Sequence, residues 1–539
     1  MADEKQVFTR KATGLIRSIG TLDCFVFNFL SMNLFGFFVL MVFGLGLYPQ
    51  ADLTSSILLA AFLCLFIALL YLLFSIAMPR SGGDYVWVGR ILHPALGFMV
   101  NFGLTFVLIT FIAIDVTLFT QAGVGAYLAN MGAITGNQGM LNLAGFLNSP
   151  AGNSTVFGID LVLILIVSLT VFFGTSVAFW AQKIMWAFVL IAGVAYVVAL
   201  LNSSNASFVA NFNQASGTTV DKVVAAAAGN GYVSSVTLQG TMLGFVFMFL
   251  NFTGFNYSAY ISGEIRNVRK AQIAGILGSL LLFAVFLVAL LIVTVSVFGA
   301  NLIGSLSYLF DLTAFGINPA SPYFNLLPVP PFPQFLIGFV TSNSVIIFLV
   351  TFGFGISMLM NALPYTVVSV RNIFAWAFDR AVPSPLAAVD TRFHSPYAAI
   401  IVTAIVSAVT TYASVYLNIS LLFTYITFLF AVLYAVVGIA GILFPYRRKD
   451  LFEASPNIVK LRVVGVPAIS IVGAISLVVS VFVGYSLLTP AFSGPFILEN
   501  FLVVIAVLII PLVLYGITYA YYKSKGLPLD LVQRQIPPE

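Results

Sequence analysis

Two short stretches of small and polar residues interrupt long apolar runs, and they hold the groups best suited to bind a small solute. The first reads NFLSMNLFG and the second reads NFTGFNYSAYISGE. A helix broken at such a point leaves backbone groups free, and its positive N-terminus suits a carboxylate whereas its carbonyls suit an ammonium group or a cation. The alternative is that small residues only allow close helix packing, but the matched positions of the two stretches favour a binding site. The predicted substrate-binding residues in them are Ser31, Asn33, Gly36, Thr253, Gly254 and Asn256.

Asp115 is the one acid that the sequence places well inside an apolar run, TFVLITFIAIDVTLFTQ. An ionisable side chain in such a run costs at least ~2.5 kcal/mol inside a membrane unless it faces a cavity or a partner. We therefore predict that Asp115 carries a coupling proton or meets the ammonium group of a substrate. The alternative is a neutral acid that is hydrogen-bonded to a neighbouring helix.

Charged residues at the ends of the apolar runs suggest ion pairs rather than catalysis. Glu264 lies among Arg266, Arg269 and Lys270, and Asp84 lies near Arg80 and Arg90. We predict that both acids form ion pairs at an inner gate, with Arg266 and Arg90 among the gating residues, and that these pairs break when the gate opens. The alternative is solvated interfacial pairs worth under ~1 kcal/mol. The two histidines and two cysteines lack the spacing of metal ligands, so we expect no metal, no cofactor and no redox chemistry.

The elements that must position these residues are helices that cross a membrane. Of the 539 residues, 61% are hydrophobic and only 7% are charged, against roughly 25% charged in a soluble domain. Many runs are long enough to cross ~30 Å of hydrocarbon as helices. They predict an all-α membrane protein with about twelve spans, at 23–48, 53–78, 95–129, 157–176, 180–201, 239–263, 272–299, 335–372, 397–416, 419–445, 463–488 and 499–523.

The basic residues give these spans an orientation. If the spans alternate from a cytoplasmic N-terminus, all 22 Lys and Arg residues except Lys222 lie on the inner side. This bias satisfies the positive-inside rule and predicts that both termini are cytoplasmic. The net charge of +5 then suits the lipid bilayer and its anionic headgroups rather than nucleic acid. Three long outer connections, near 130–156, 202–238 and 300–334, are expected to cover a vestibule.

The two polar stretches lie in spans 1 and 6, five spans apart. Because five is odd, the two spans cross the membrane in opposite directions, as an inverted repeat requires. We therefore predict a cytoplasmic tail at 1–22, a first five-helix repeat at 23–201 and a second, inverted repeat at 239–445. Helices 11 and 12 at 463–523 are extra to the repeat, and 524–539 forms a second cytoplasmic tail.

Three motifs resemble those of one transporter superfamily. The segment MPRSGGDYVWVGRILHPALGF, Met78 to Phe98, is similar to the signature between helices 2 and 3 of the amino acid-polyamine-organocation superfamily. GFNYSAYISGEIRN resembles helix 6 of that family, and FAWAFDRAVP resembles the inner end of its helix 8. The chain departs from the family in helix 1, where Gly36 alone remains of a Gly-rich break, and at Asn256, where many relatives carry Glu.

The resemblance implies the five-helix inverted-repeat fold, called LeuT-like, and a secondary-active amino acid permease of a prokaryotic plasma membrane. It also implies that Asn361 and Tyr365, in SMLMNALPYTVVS of helix 8, line the substrate cavity. Thr351 and Ser357 are the helix 8 hydroxyls that complete a possible cation site, because hard cations take oxygen ligands. Such a protein moves an amino acid by alternating access, coupled to H⁺ or Na⁺.

Other functions remain open from the sequence. A polyamine, organic cation or nucleobase carrier of the same fold is the nearest rival, and an amino acid exchanger is another. A channel is disfavoured because no filter motif repeats, and a membrane-embedded enzyme is disfavoured because no catalytic groups cluster inside the spans. An ATP-driven pump is disfavoured because the chain contains no phosphate-binding G-x-x-x-x-G-K-[ST] run.

Overall fold

The computed structural model describes residues 17–315, 317–318, 320–327, 329–417, 420–488, 498–526 and 533. Most of the two predicted tails, 1–22 and 524–539, lies outside the described residues. In the part of the chain that is described, the structure is helical apart from two antiparallel strands of two residues each. These are β1 (Arg462–Val463) and β2 (Val466–Pro467).

The helices of the first half carry the polar stretch of span 1 and the long runs that follow it. They are α1 (Thr21–Ser31), α2 (Gly36–Leu47), α3 (Leu53–Ala77), α4 (Asp84–Ile91), α5 (Pro94–Leu118), α6 (Gly125–Thr135), α7 (Gln138–Leu147), α8 (Asn153–Phe172), α9 (Thr175–Leu201), α10 (Asn205–Ala215) and α11 (Val220–Gly229). A π-helical turn, Phe119–Val124, joins α5 to α6, and the two form one rod over Pro94–Thr135.

The helices of the second half begin at the polar stretch of span 6. They are α12 (Leu238–Phe252), α13 (Val268–Gln272), α14 (Ser279–Phe298), α15 (Ala300–Ala314), α16 (Tyr323–Leu326), α17 (Pro333–Leu336), α18 (Ser344–Phe378), α19 (Tyr397–Leu417), α20 (Ser420–Arg447), α21 (Lys449–Ala454), α22 (Ala468–Leu488) and α23 (Leu498–Ser524). A second π-helical turn, Ile273–Gly278, joins α13 to α14.

Eleven helices within the described residues are long and apolar enough to cross a membrane, so the prediction of a multi-pass helical membrane protein is confirmed. The remaining predicted span, 239–263, is helical only over α12, which has 15 residues. After α12 the chain continues through two short 3₁₀ turns, Tyr257–Tyr260 and Ser262–Glu264. The count of twelve spans, the inverted repeat and the side of the termini stay predictions.

The structure has both of the helix interruptions that the polar stretches predict. Between α1 and α2 the backbone of Asn33 takes a φ of +52°, and the Asn33 side chain accepts a hydrogen bond of 2.9 Å from the N–H of Gly36. After α12, Gly254 takes a φ of +111°. A Cβ atom at Gly254 would lie 2.5 Å from the carbonyl oxygen of Ser31, so only glycine lets the two interruptions approach this closely.

Side chains join the two interrupted segments. The Asn28 amide donates to the Ser258 hydroxyl at 2.8 Å and accepts from the Ser258 N–H at 2.7 Å. The Asn251 amide donates to the carbonyl oxygen of Met32 at 3.1 Å. Backbone groups freed inside a membrane must find such partners, because no water is present there to replace them.

A buried ion pair closes one face of the bundle, and its partners differ from the predicted ones. Glu264 accepts from the guanidinium group of Arg371 at 2.6 Å and 3.1 Å, and Thr175 donates to it at 2.9 Å. The predicted partner Arg266 is exposed instead and donates to the carbonyl oxygen of Arg17. Among the described residues, Glu264 therefore pairs with Arg371 of α18 and with none of the candidates that lie near it in sequence, Arg266, Arg269 and Lys270.

Asp84 and Arg90 also have other partners than predicted. Arg90 pairs with Asp379 at 2.5 Å, and both side chains are 1% exposed. Asp84 accepts hydrogen bonds from three neutral donors, which are Tyr71 at 2.9 Å, Asn101 at 2.7 Å and Tyr260. Burial raises the pKa of Asp84 to about 6, although these hydrogen bonds favour the ionised form. In this structure Arg90 therefore pairs with Asp379, and Asp84 is held by neutral donors, while the gating role of both residues stays a prediction.

We call the side of the bundle that carries these two ion pairs the N-terminal face, because the first described residues lie on it. The N–H of Ile19 donates to the carbonyl oxygen of Glu264 at 3.0 Å. Near the other end of the chain, Gln533 donates to the carbonyl oxygen of Asp379 at 3.4 Å. Residues from both ends of the chain therefore contact the same face.

Replacing Glu264 by Gln should lower the stability of the protein strongly. The change leaves the guanidinium group of Arg371 buried at 2% exposure without a carboxylate, and removing one partner of a buried pair costs about 3–5 kcal/mol. The measurement is the thermal unfolding midpoint of the purified protein in detergent. Asp450→Asn is the matched control, because its pair with Arg448 is exposed and should contribute little. Equal shifts in the two variants would contradict the structural role of Glu264.

Candidate functional site

A cavity of about 260 Å³ lies where the two interrupted segments meet α5 and α18. Its wall is mostly apolar, with a few polar side chains between the apolar ones. The polar residues on the wall are Ser31, Asn33, Asp115, Thr117, Gln121, Asn251, Thr253, Asn361, Tyr365 and Ser414. The other residues on it are Met32, Gly36, Val39, Leu40, Phe43, Phe111, Ile114, Leu118, Leu250, Phe315 and Met358.

Most of the predicted substrate-binding residues line this cavity, and two do not. Ser31, Asn33, Gly36, Thr253, Asn361 and Tyr365 are on its wall. Gly254 instead packs against the backbone of Ser31, and its contribution is the close approach of the two segments. Asn256 is 1% exposed and lies beyond the cavity wall, one turn further along the chain. Its predicted contact with substrate therefore has no support in this arrangement.

The two hydroxyls of the possible cation site do not come together. Ser357 donates to the side-chain oxygen of Asn33 at 2.5 Å, whereas Thr351 donates to the carbonyl oxygen of Ile347 at 2.7 Å. They are six residues apart on the continuous helix α18, which is about 9 Å along its axis. Ligands of one cation each lie at roughly 2.4 Å from it, so these two hydroxyls cannot share an ion in this conformation.

Ser357 contacts a different group, because it fixes the backbone of the interruption between α1 and α2. The side-chain oxygen of Asn33 accepts both the Ser357 hydroxyl and the N–H of Gly36, and its amide nitrogen lies 3.5 Å from the sulfur of Met358. The left-handed backbone of Asn33 is thereby fixed from α18. This arrangement ties the cavity wall on the helix 1 side to the wall on the α18 side.

Among the residues that the structure describes, Asp115 is the one carboxyl group on the cavity wall. Its side chain is buried, and its Oδ2 atom has no hydrogen-bond partner among the described residues. The Asn361 side chain lies beside it, and the Asn361 amide donates to the Tyr365 hydroxyl at 2.8 Å. Within the described part of the chain, no Lys, Arg or His lies on the wall to balance the acid. A proton or a positively charged ligand group would supply the missing partner.

Sequence reasoning missed a second buried acid close to this wall. Asp160 of α8 is 0% exposed and accepts from the hydroxyls of Thr117 at 2.7 Å and Thr120 at 2.8 Å. Asp115 is therefore not the one acid inside an apolar helix, as we predicted from the sequence. The segment VFGIDLVLI contains the signal, but Asp160 lies only three residues from the start of the predicted span 157–176, where an acid is less costly.

The arrangement suits a small zwitterion with an apolar side chain. Asp115 and the carbonyl oxygens at the end of α1 can receive an ammonium group, and the start of α2 presents the positive end of a helix dipole to the cavity. The aliphatic and aromatic residues offer an apolar surface for the rest of the ligand. Polar groups on the wall then fix the orientation of the ligand.

The sequence comparisons agree with this chemistry. The profile of the family described as "Amino acid permease" matches residues 19–512 of the chain. The chain is also similar to the branched-chain amino acid permease BcaP of Lactococcus lactis subsp. cremoris (strain MG1363), with 28% identity over 244 residues. That match covers 44% of this chain and 47% of BcaP, so the chain spans about half the length of the curated relative. Because the family match extends over nearly the whole sequence, the chain belongs to the amino acid permease family of the amino acid-polyamine-organocation superfamily, a family of membrane transporters rather than enzymes.

Proposed function

We propose that this permease carries amino acids with apolar side chains, and that Asp115 receives the substrate ammonium group. The observation that carries the proposal is a buried carboxyl group with an unpartnered oxygen on the wall of an otherwise uncharged cavity. An amino acid brings the positive group that the wall lacks, together with a carboxylate that the start of α2 can attract. The name of the relative BcaP, a branched-chain amino acid permease, supports the same substrate class.

The apolar part of the wall argues for the side-chain preference. Val39, Leu40 and Phe43 of α2 face the cavity together with Phe111 of α5 and Met358 of α18. Burying an aliphatic or aromatic substrate side chain against them removes apolar surface from water at roughly 25 cal/mol per Å². A charged substrate side chain would gain nothing there and would lose its hydration.

We propose transport by alternating access. The cavity lies away from the N-terminal face, which carries the pairs of Glu264 with Arg371 and Arg90 with Asp379, since Asn361 on its wall is ten residues, about 15 Å, before Arg371 along α18. Release on that face requires these buried pairs to separate or move together, so we propose them as the gate of that side. Twelve spans in an inverted repeat, cytoplasmic termini and a prokaryotic plasma membrane are parts of the same proposal.

Coupling to an ion is proposed for Asp115 as well. In the absence of substrate a proton is the smallest group that neutralises a buried carboxylate, and an arriving ammonium group can replace it. The single acid also suits an organic cation or polyamine, which is the rival function. A polyamine carries no carboxylate, so it would make no use of the start of α2.

The main experiment is uptake of labelled amino acids by purified protein in proteoliposomes, with imposed proton or sodium gradients. Leucine, isoleucine, valine and phenylalanine should compete with one another, whereas lysine and putrescine should compete weakly. A gradient dependence identifies the coupled ion, and exchange without a gradient identifies an exchanger. Strong competition by putrescine together with weak competition by leucine would favour the organic cation carrier and would reject the proposal.

Asp115→Asn should abolish gradient-driven uptake while leaving exchange partly intact. The amide keeps the size of the carboxyl group but neither takes up a proton nor forms an ion pair with an ammonium group. The measurement compares uptake with exchange in proteoliposomes at several pH values. Asp160→Asn is the matched control, because it removes a buried acid that is not on the cavity wall, and it should retain the gradient dependence. Unchanged uptake by Asp115→Asn in all conditions would remove Asp115 from the mechanism.

Asn361→Ala should raise the KM for the substrate roughly fivefold, the equivalent of one hydrogen bond of about 1 kcal/mol. The reason is that Asn361 orients both the Tyr365 hydroxyl and the region around Asp115. Tyr365→Ala should act in the same direction. Asn256→Ala is the control, since Asn256 is equally buried but lies off the wall, and its KM should match that of the unaltered protein. A raised KM in Asn256→Ala together with an unchanged KM in Asn361→Ala and Tyr365→Ala would show that the substrate binds elsewhere.

A further inference from the structure

A buried carboxyl group that has no hydrogen-bond partner among the described residues lies outside the cavity, on a helix of the connection between α14 and α18. Asp311 of α15 is 1% exposed, and neither of its carboxyl oxygens has a hydrogen-bond partner among the described residues. The backbone carbonyl oxygen of Asp311, in contrast, accepts a hydrogen bond of 2.9 Å from the N–H of Phe315. A buried carboxylate with no donor is expensive, so the group requires a neutralising ligand.

The space around Asp311 restricts what that ligand can be. The carboxyl group packs directly on the backbone of Gly46 in α2, and a Cβ atom at that position would overlap Oδ2 of Asp311. The same Cβ would lie 2.6 Å from the carbonyl oxygen of Ser307. At this point α15 therefore contacts α2 through the Asp311 carboxyl group, which packs against the backbone of Gly46. A proton fits such a contact, whereas a metal cation would need several oxygens at roughly 2.4 Å.

No opposite charge faces Asp311 in the part of the structure that is described. α15 packs against α2, α11, α14 and α16. α2 and α14 contain no ionisable residue, and α11 contributes only Asp221 and Lys222, both exposed.

Among the described residues, the remaining titratable groups on α15 or in contact with it are tyrosines, namely Tyr232, Tyr308 and Tyr323, and none of them supplies a positive charge. Burial alone therefore raises the pKa of Asp311 well above the ordinary value. The docked position of α15 favours the protonated acid, and an undocked position exposed to water would favour the carboxylate.

The docked position of α15 also determines one wall of the substrate cavity. Phe315 lies four residues after Asp311, lines the cavity and packs edge-on against Phe43 of α2, with ring centroids 5.1 Å apart. The backbone hydrogen bond between Asp311 and Phe315 makes the two residues move together. Any displacement of α15 from α2 at Asp311 would carry Phe315 away from Phe43 and widen the cavity on the side remote from the N-terminal face.

We propose that Asp311 is a proton-binding site that docks α15 onto α2, so that protonation covers the substrate cavity and proton release uncovers it. The site is distinct from Asp115, which lies on the cavity wall itself. The consequence for uptake rests on the proposed transport function, whereas the docking of α15 is a property of the protein without substrate. The two are therefore separable by measurement.

The direction of the pH effect follows from the two states. Below the ordinary carboxyl pKa both states are protonated and docking is fully favourable. As the pH rises above that value, the undocked state ionises first, and docking weakens by up to tenfold per pH unit until the raised pKa of the docked state is reached. Cavity access should therefore increase as the pH rises.

The experiment measures the access of a thiol reagent to the cavity. Ser414→Cys places a cysteine on the cavity wall, and the native Cys24 and Cys64 are both buried, so background labelling is low. The labelling rate by a membrane-impermeant maleimide is divided by that of Leu238→Cys, whose site is 80% exposed, to remove the chemical effect of pH on the reaction. Without substrate, the corrected rate of Ser414→Cys should rise between pH 5 and pH 8.

Substitutions at Asp311 and at Gly46 separate the effect of the Asp311 charge from the effect of the close packing between α15 and α2. Asp311→Asn in the Ser414→Cys background should give a low rate that is independent of pH, and Asp311→Leu should do the same if the amide variant folds poorly. Gly46→Ala should give a high rate at every pH, because its methyl group excludes the Asp311 carboxyl group sterically. These results would support the proposal even if no amino acid were transported.

Three outcomes would overturn the proposal. The first is an unchanged pH profile in Asp311→Asn and Asp311→Leu. The second is a Gly46→Ala variant that labels like the unaltered background, which would separate docking from cavity access. The third is a labelling rate that follows the sodium concentration at fixed pH, which would identify the ligand of Asp311 as a cation instead of a proton.

Discussion

The structure depends on how two broken helices satisfy each other inside a membrane. Each interruption frees backbone groups that lipid cannot solvate, and each therefore needs partners from the other segment. Asn28 and Ser258 exchange two hydrogen bonds, and Asn251 reaches the carbonyl oxygen of Met32. Gly254 permits the approach because it has no Cβ atom. The cavity exists at this crossing because the backbone there cannot close into regular helix.

The buried acids show how different environments give one residue type different roles. Asp160 has two hydroxyl donors, and Asp84 has three donors, so both are held by hydrogen bonds within the protein. Asp115 and Asp311 each have unpartnered oxygens, one on the cavity wall and the other against Gly46. The satisfied acids fix helices to one another. The unsatisfied acids are the ones that can change partners, which is what binding and coupling require.

The sequence predicted the features that depend on local chemistry and missed those that depend on distant contacts. Interrupted helices were predictable because Asn33 and Gly254 have residue types that adopt a positive φ. Eleven of the twelve predicted spans correspond to described helices that are long and apolar enough to cross a membrane, because apolar length alone indicates them. The partner of Glu264 was not predictable, because Arg371 is 107 residues away in sequence, whereas Arg266 and Arg269 are only two and five residues away. Asn256 was predicted to contact substrate because it belongs to the second polar stretch. In the structure the chain turns after Gly254, and Asn256 does not line the cavity.

Helix α18 gives a physical route between the substrate cavity and the N-terminal face. Asn361 of α18 lies on the cavity wall. Arg371, ten residues and about 15 Å further along the same helix, pairs with Glu264. Ser357, one turn before Asn361 on that helix, donates to Asn33 between α1 and α2. A ligand that shifts α18 at Asn361 acts on the Ser357 contact with Asn33 and, across the internal Pro364, on the Arg371 pair with Glu264. Because the pair is bidentate and buried, it is the stiffer of the two, so the helix 1 contact should yield first.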